Sequence, residues 1–259
     1  MTSMPEKLAA FERLLGIMDD LREKCPWDKK QTMQSLRHLT IEEVYELADA
    51  ILDDKQEEIK KELGDILLHI VFYSRIASET NLYDISTVIH ALCDKLVHRH
   101  PHIYGDVKVE NDEEVSRNWE KLKLKEGKVS VLEGVPVSLP ALVKSIRVQE
   151  KARAAGFDWD TRAQVWEKVM EEMEEFRREA ESGRQERMEE EFGDLLFALV
   201  NYARFVNINP EEALERTNKK FIRRFRFMED RVNHEGKNLS DMSLEEMDLF
   251  WNEAKAKGL

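Results

Sequence analysis

The sequence predicts an all-α protein built as a tandem repeat of one helical bundle. Three observations carry this. The composition, 36% charged and 42% hydrophobic with only 10 Gly and 6 Pro in 259 residues, is rich in strong helix formers. Apolar residues recur at helical spacing, and no segment alternates with the period of two that marks a strand. Acidic motifs in the first half return in the second at a fixed offset of 129 positions.

Taken in order, Leu8, Phe11, Leu14, Leu15 and Met18 share one face, which predicts a helix from Pro5 to about Arg22. It stops before Cys25-Pro26-Trp27-Asp28, because Pro26 disfavours helical backbone at Cys25. Further helices are expected at about Ser35–Leu52, Gln56–Ala77 and Ile85–Val97, followed by an irregular stretch, HRHPHIYGD. Another helix is expected from Asp112 to about Lys125. Val129 to Pro140 holds two Pro, one Gly and little charge, which reads as a linker. It divides a domain 1–128 from a domain 141–259. Helices are then expected at about Ala141–Ala155, Arg162–Ala180, Arg187–Val206, Pro210–Val232 and Ser243–Ala256.

The repeat pairs IEEVYEL (Ile41 to Leu47) with MEEMEEF (Met170 to Phe176), and KELGDIL (Lys61 to Leu67) with EEFGDLL (Glu190 to Leu196). Glu43, Glu46, Glu62 and Asp65 thereby correspond to Glu172, Glu175, Glu191 and Asp194. Tyr73/Tyr202 and Arg75/Arg204 keep the same offset, and Trp27-Asp28 finds a looser echo in Trp159-Asp160. Residues three apart share a helix face. If each pair of helices folds into a hairpin, four acids converge in each copy. Such a cluster needs a cation or retained protons. Hard oxygen ligands without Cys or His suit Mg²⁺, with Mn²⁺ as a substitute. An isolated ExxE is usually a solvated helix face; the repetition of ExxE with ExxD at identical spacing argues otherwise.

The formal net charge of −13 disfavours nucleic acid and anionic membranes as partners. Phosphate chemistry in so acidic a chain would work through a metal or a local basic patch. No segment approaches the ~20 apolar residues of a membrane span. Two isolated cysteines, Cys25 and Cys93, and a start lacking signal-peptide features lead to the expectation of a reduced, cytoplasmic setting. His98, His100 and His102 invite a zinc reading, but no Cys or carboxylate stands at ligand spacing.

EExxE followed by ExxD on paired helices resembles the MazG family of nucleoside triphosphate pyrophosphohydrolases. CPWDKKQT, EEVYEL, ELGDILLHIVFYS, HRHPHIYGD and KARAAGFDW are similar to its two-domain bacterial form, across almost the whole chain. The resemblance implies a tandem of MazG-like bundles, usually dimeric, that cleaves nucleoside triphosphates to monophosphate and pyrophosphate with Mg²⁺. It implies metal ligands at Glu172, Glu175, Glu191 and Asp194, and at Glu43, Glu46, Glu62 and Asp65. The C-terminal copy is the expected catalytic unit, since NKKFIRRFR follows it. By resemblance Lys220 and Arg224 contact phosphates, Lys168 and Arg187 assist, and Trp251 packs against the nucleotide. Glu171, Glu172 and Glu175 are candidates for the proton acceptor. Two alternatives stand beside this reading. A di-iron carboxylate bundle would need Glu-x-x-His pairs, which neither hairpin offers. A non-catalytic interaction or dimerisation protein would leave the clusters unused.

Overall fold

A computed structural model describes residues 2–109, 111, 114, 115, 118, 119, 122 and 130–259. Their regular structure is helical, with no strand among them, and the chain divides into two compact units, Met1–Val109 and Glu110–Leu259. The helix expected over about 112–125 falls largely outside the described residues, as does Val129.

The first unit holds α1 (Met4–Lys24), α2 (Met33–Leu52), α3 (Gln56–Ser78), α4 (Ile85–Arg99) and a short α5 (Pro101–Tyr104). The α5 turn corrects the expectation of irregular chain after Arg99. Pro101 stands at the first helical position, where its missing N–H costs nothing and its fixed φ suits the helix. Met18, Leu36, Val71 and Phe72 form the buried core, where α1, α2 and α3 meet. Arg22 ties α1 to the end of α3 by a bidentate pair with Glu79 (2.7 and 2.9 Å). Its third nitrogen donates to the carbonyls of Asp28 and Gln31, which fixes the Trp27-Asp28 corner.

The second unit holds α6 (Ala141–Ala154), α7 (Arg162–Ser182), α8 (Gln185–Phe205), α9 (Pro210–His234) and α10 (Leu244–Ala256). The segment 130–140 carries turns and packs on this unit, where Lys151 Nζ donates to the Val131 carbonyl at 3.1 Å. Val169, Leu195 and Ala198 are buried between α7 and α8, with Phe176 and Tyr202 against them. Val169 and Leu195, withdrawn from water, each stabilise by about 1.5–3 kcal/mol, and the Ala198 methyl by less. The Trp166–Tyr202 and Phe176–Phe192 ring pairs, with centroids at 4.8 and 5.5 Å, join the same two helices.

The two hairpins begin and turn at equivalent positions. Thr32 caps α2 and Thr161 caps α7, each accepting from the backbone N–H three residues on. At the tips, Asp54 (φ 52°) and Gly183 (φ 71°) take the left-handed conformation that closes the turn. Each cap fixes where its helix starts, so the acids that follow face the partner helix in both copies.

Candidate metal centres

One carboxylate oxygen from each of Glu172, Glu175 and Glu191 lies within 4.8 Å of the other two. Glu172 and Glu175 come from α7, Glu191 from α8. In the first unit Glu43, Glu46 and Glu62 meet under the same limit, from α2 and α3. Asp65 and Asp194 are one turn beyond Glu62 and Glu191 and stand outside these triads. Asp194 lines a cavity together with Glu172, and Asp65 raises the proton affinity of Glu43 through its charge.

The electrostatics of both clusters register the crowding. Glu43 is pushed above the ordinary carboxylate range by burial, then by Asp65, Glu46 and a contact with Glu62. Glu191 is pushed up by loss of solvent, then by Glu175, Asp194 and Glu172. Repulsion of this kind favours a proton or a cation between the oxygens. Glu62 is 3% exposed and its Oε2 has no hydrogen-bond partner, a costly state for a buried carboxylate. A hard divalent ion fits such a donor set, since it takes carboxylate oxygens and keeps part of its own water.

The deepest acid differs between copies. It is Glu62 on α3 in the first and Glu172 on α7 in the second, and a lysine reaches each: Lys61 at 2.9 Å and Lys168 at 2.7 Å. Lys168 also donates to Glu171 (2.8 Å), and the two carboxylates hold its ammonium well above the usual lysine range.

A cavity of about 560 Å³ opens beside the second cluster. Lys168, Glu172 and Asp194 line it, as do Phe157, Trp159, Asn201 and Arg204. The remaining expected nucleotide contacts do not line this cavity. Arg187 is exposed and paired with Glu190 at 2.8 Å. Lys220 is exposed on α9. Arg224 donates to the Leu259 main-chain carbonyl at 2.6 Å and lies 5.9 Å from the Trp251 ring, which packs on Phe221 at 5.0 Å. Phe157, Trp159, Asn201 and Arg204 are not among the site residues read from the sequence, where Trp159 and Arg204 entered only as parts of the repeat. The constant offset of Arg75 and Arg204, and the FDWD run, were the available signals.

Two helical hairpins, each converging three carboxylates, define the class: an all-α protein with paired acidic centres. Within that class, the MazG nucleotide pyrophosphohydrolase domain matches residues 31–104 and again 160–227. The chain belongs to the MazG nucleotide pyrophosphohydrolase family. It is 42% identical, over 97% of its length and 98% of the relative's, to the nucleoside triphosphate pyrophosphohydrolase/pyrophosphatase MazG of Thermotoga maritima. It is 41% identical to the nucleoside triphosphate pyrophosphohydrolase of Escherichia coli K12, covering 95% and 97% of the two chains. A Bacillus subtilis protein, YabN, is 47% identical over 95% of this chain and 51% of its own. No helix among the described residues is long and apolar enough to cross a membrane.

Proposed function

We propose that this chain hydrolyses nucleoside triphosphates to monophosphate and pyrophosphate, with Mg²⁺ held by Glu172, Glu175, Glu191 and Asp194 of the second copy. The observation that carries the reading is the convergence of three carboxylates beside a cavity that Lys168 also lines. The names of the Thermotoga and Escherichia relatives agree with it. Bound at this cluster, a divalent ion supplies charge neutralisation for the phosphates and acidifies a water.

This chain's residues do the rest. Water attacks phosphorus at the α–β bridge, the bond to the bridging oxygen breaks, and pyrophosphate leaves. The water's proton passes to a carboxylate among Glu171, Glu172 and Glu175. Lys168 keeps its charge in this acidic setting and offsets that of the substrate. Lys220, Arg224 and Trp251 stand outside the cavity lining and join the nucleotide as contacts across a homodimer. Matched exposed residues on the two hairpins, Ile41/Met170, Leu63/Phe192 and Leu67/Leu196, offer apolar faces for such pairing. The setting is cytoplasmic nucleotide-pool housekeeping, with broad base specificity and no nucleic-acid or membrane partner.

The test is product analysis with the common nucleoside triphosphates, with and without Mg²⁺. Monophosphate and pyrophosphate, formed only with the ion, are the expected products. Diphosphate and phosphate would overturn the reading.

A further inference from the structure

The corner between α6 and α7 has its side chains turned the wrong way for ordinary packing. Gly156 (φ 93°) ends α6 in a conformation that a side chain would strain, and Phe157, Asp158 and Trp159 follow. A charged residue between two aromatics normally faces solvent while the rings turn inward. Here the order is inverted. Asp158 accepts from both terminal nitrogens of Arg204, one of them at 2.8 Å, and from the Trp159 backbone N–H at 2.9 Å. Arg204 is itself held by Asn201 Oδ1 at 2.8 Å. Phe157 stays 84% exposed and Trp159 44%, yet both line the cavity. Core packing therefore does not account for Phe157, and it leaves nearly half of Trp159 open to the cavity and solvent.

Their place in the cavity follows from α8. Asp194 and Arg204 line the same space and are ten residues apart, which is about 15 Å along a helix axis. The acids stand at one end and the Arg204–Asp158 pair at the other. The cavity volume falls within the usual range for small-molecule sites. It offers an ionic end for a polyphosphate and flat apolar rings for a heteroaromatic group.

We propose that Phe157 and Trp159 form the stacking platform for the nucleobase in the second copy, and that Arg204 and Asp158 are positioning residues that hold this platform open. The proposal rests on the hydrolase reading for the identity of the ligand. Ring faces accept every base, in line with broad specificity. In the first copy Cys25 and Pro26 stand where Phe157 and Asp158 would, and Arg22 holds that corner through main-chain carbonyls instead.

The test uses the full chain with Mg²⁺ and α,β-methylene-ATP, an analogue whose α–β bridge resists hydrolysis. Trp159→Ala and Phe157→Ala should each weaken its binding about tenfold, the scale of losing one base–aromatic stack. Inorganic tripolyphosphate has no base, and should bind wild type and both variants within about twofold by the same reasoning. In a Trp251→Phe background, which removes the other tryptophan placed at the nucleotide, Trp159→Phe should keep the affinity and lose most of the remaining analogue-induced change in tryptophan emission. Asp158→Asn should raise KM for nucleotide with kcat unchanged. Because both rings are exposed, their truncation leaves no core void, and an unchanged melting temperature checks this. If wild type releases pyrophosphate while the alanine variants keep its KM and affinity, the platform is wrong and the hydrolase reading stands. If wild type binds the analogue through Trp159 but releases no pyrophosphate, the platform stands and the hydrolase reading falls.

Discussion

The two acidic centres are made of the same parts and face different surroundings. In the second copy, Ala198 and Asn201 turn toward an open cavity. Their counterparts in the first copy are His69 and Phe72, both buried, and the contrast is one of volume: an imidazole and a phenyl ring stand where the second copy has a methyl group and a small amide. Lys168 corresponds to Leu39 and Phe197 to Leu68, and both leucines pack on the core with Phe11, Leu14 and Leu15 of α1. The helix facing the second cavity presents Val148, Gln149 and Ala152 instead, which are smaller or polar. The two centres thus share their converging acids and differ in the space beside them. Among the described residues, the cavity at these positions lies in the second copy; under the proposed function, that space is what a nucleotide needs besides the acids.

Removing one acid from each copy sets the two centres against each other most directly. Glu172→Gln should lower pyrophosphate release by at least about 10²-fold, the scale of losing one preorganised electrostatic group. Glu43→Gln should leave the rate within about twofold on the same reasoning. Equal losses, measured as initial rates, would refute the division of labour.

The next largest effect comes from exchanging volume. Asn201→Phe places in the second copy the side chain that fills the first. KM for nucleotide should rise about tenfold or more, the order of one lost base stack, with no fall in melting temperature. The reverse change, Phe72→Asn, removes a buried ring and should cost about 3–5 kcal/mol of stability without creating activity. Calorimetry and the pyrophosphate assay together decide both.

Smaller effects separate ion binding from turnover. If both clusters hold a divalent ion, Mg²⁺ at 100 times its dissociation constant adds about 2.7 kcal/mol per site. Glu43→Gln and Glu172→Gln should each remove part of the Mg²⁺-induced rise in melting temperature. A full rise in Glu43→Gln would leave the first cluster without an ion.

The smallest effect is on pH. Glu191 has a raised proton affinity in the folded chain, so folding takes up a proton between its ordinary value and the raised one. Metal-free stability should therefore fall as pH rises through that window. Glu191→Gln should be more stable than wild type at neutral pH, and the advantage should vanish as pH falls through the window. Melting curves with chelator present measure the difference.

The hairpins were legible in the sequence because their determinants are local. Apolar spacing and the constant offset of the acids place Glu43 with Glu62, and Glu172 with Glu191, whereas the threonine caps that start these helices at Met33 and Arg162 come from the structure. The cavity was not legible, because it depends on which residues of a third helix face α3 or α8. Leu39 against Lys168 reads as one substitution in a row of letters; its consequence appears only once α1 is packed on it. The outward rings of Phe157 and Trp159 were hidden for a similar reason. Aromatic residues in sequence suggest burial, and only the Arg204–Asp158 pair, spanning 46 residues, reverses that. The α5 turn was missed although Pro101 signalled a helix start.

The left-handed residue at each hairpin tip has a further consequence. Asp54 and Gly183 set how many residues separate one acid pair from the next. One extra residue absorbed into either helix would slide an acid pair by about 1.5 Å and swing it by about 100° around the axis. An insertion that a helix absorbs therefore parts the acids, whereas one held in the tip loop leaves both pairs in register.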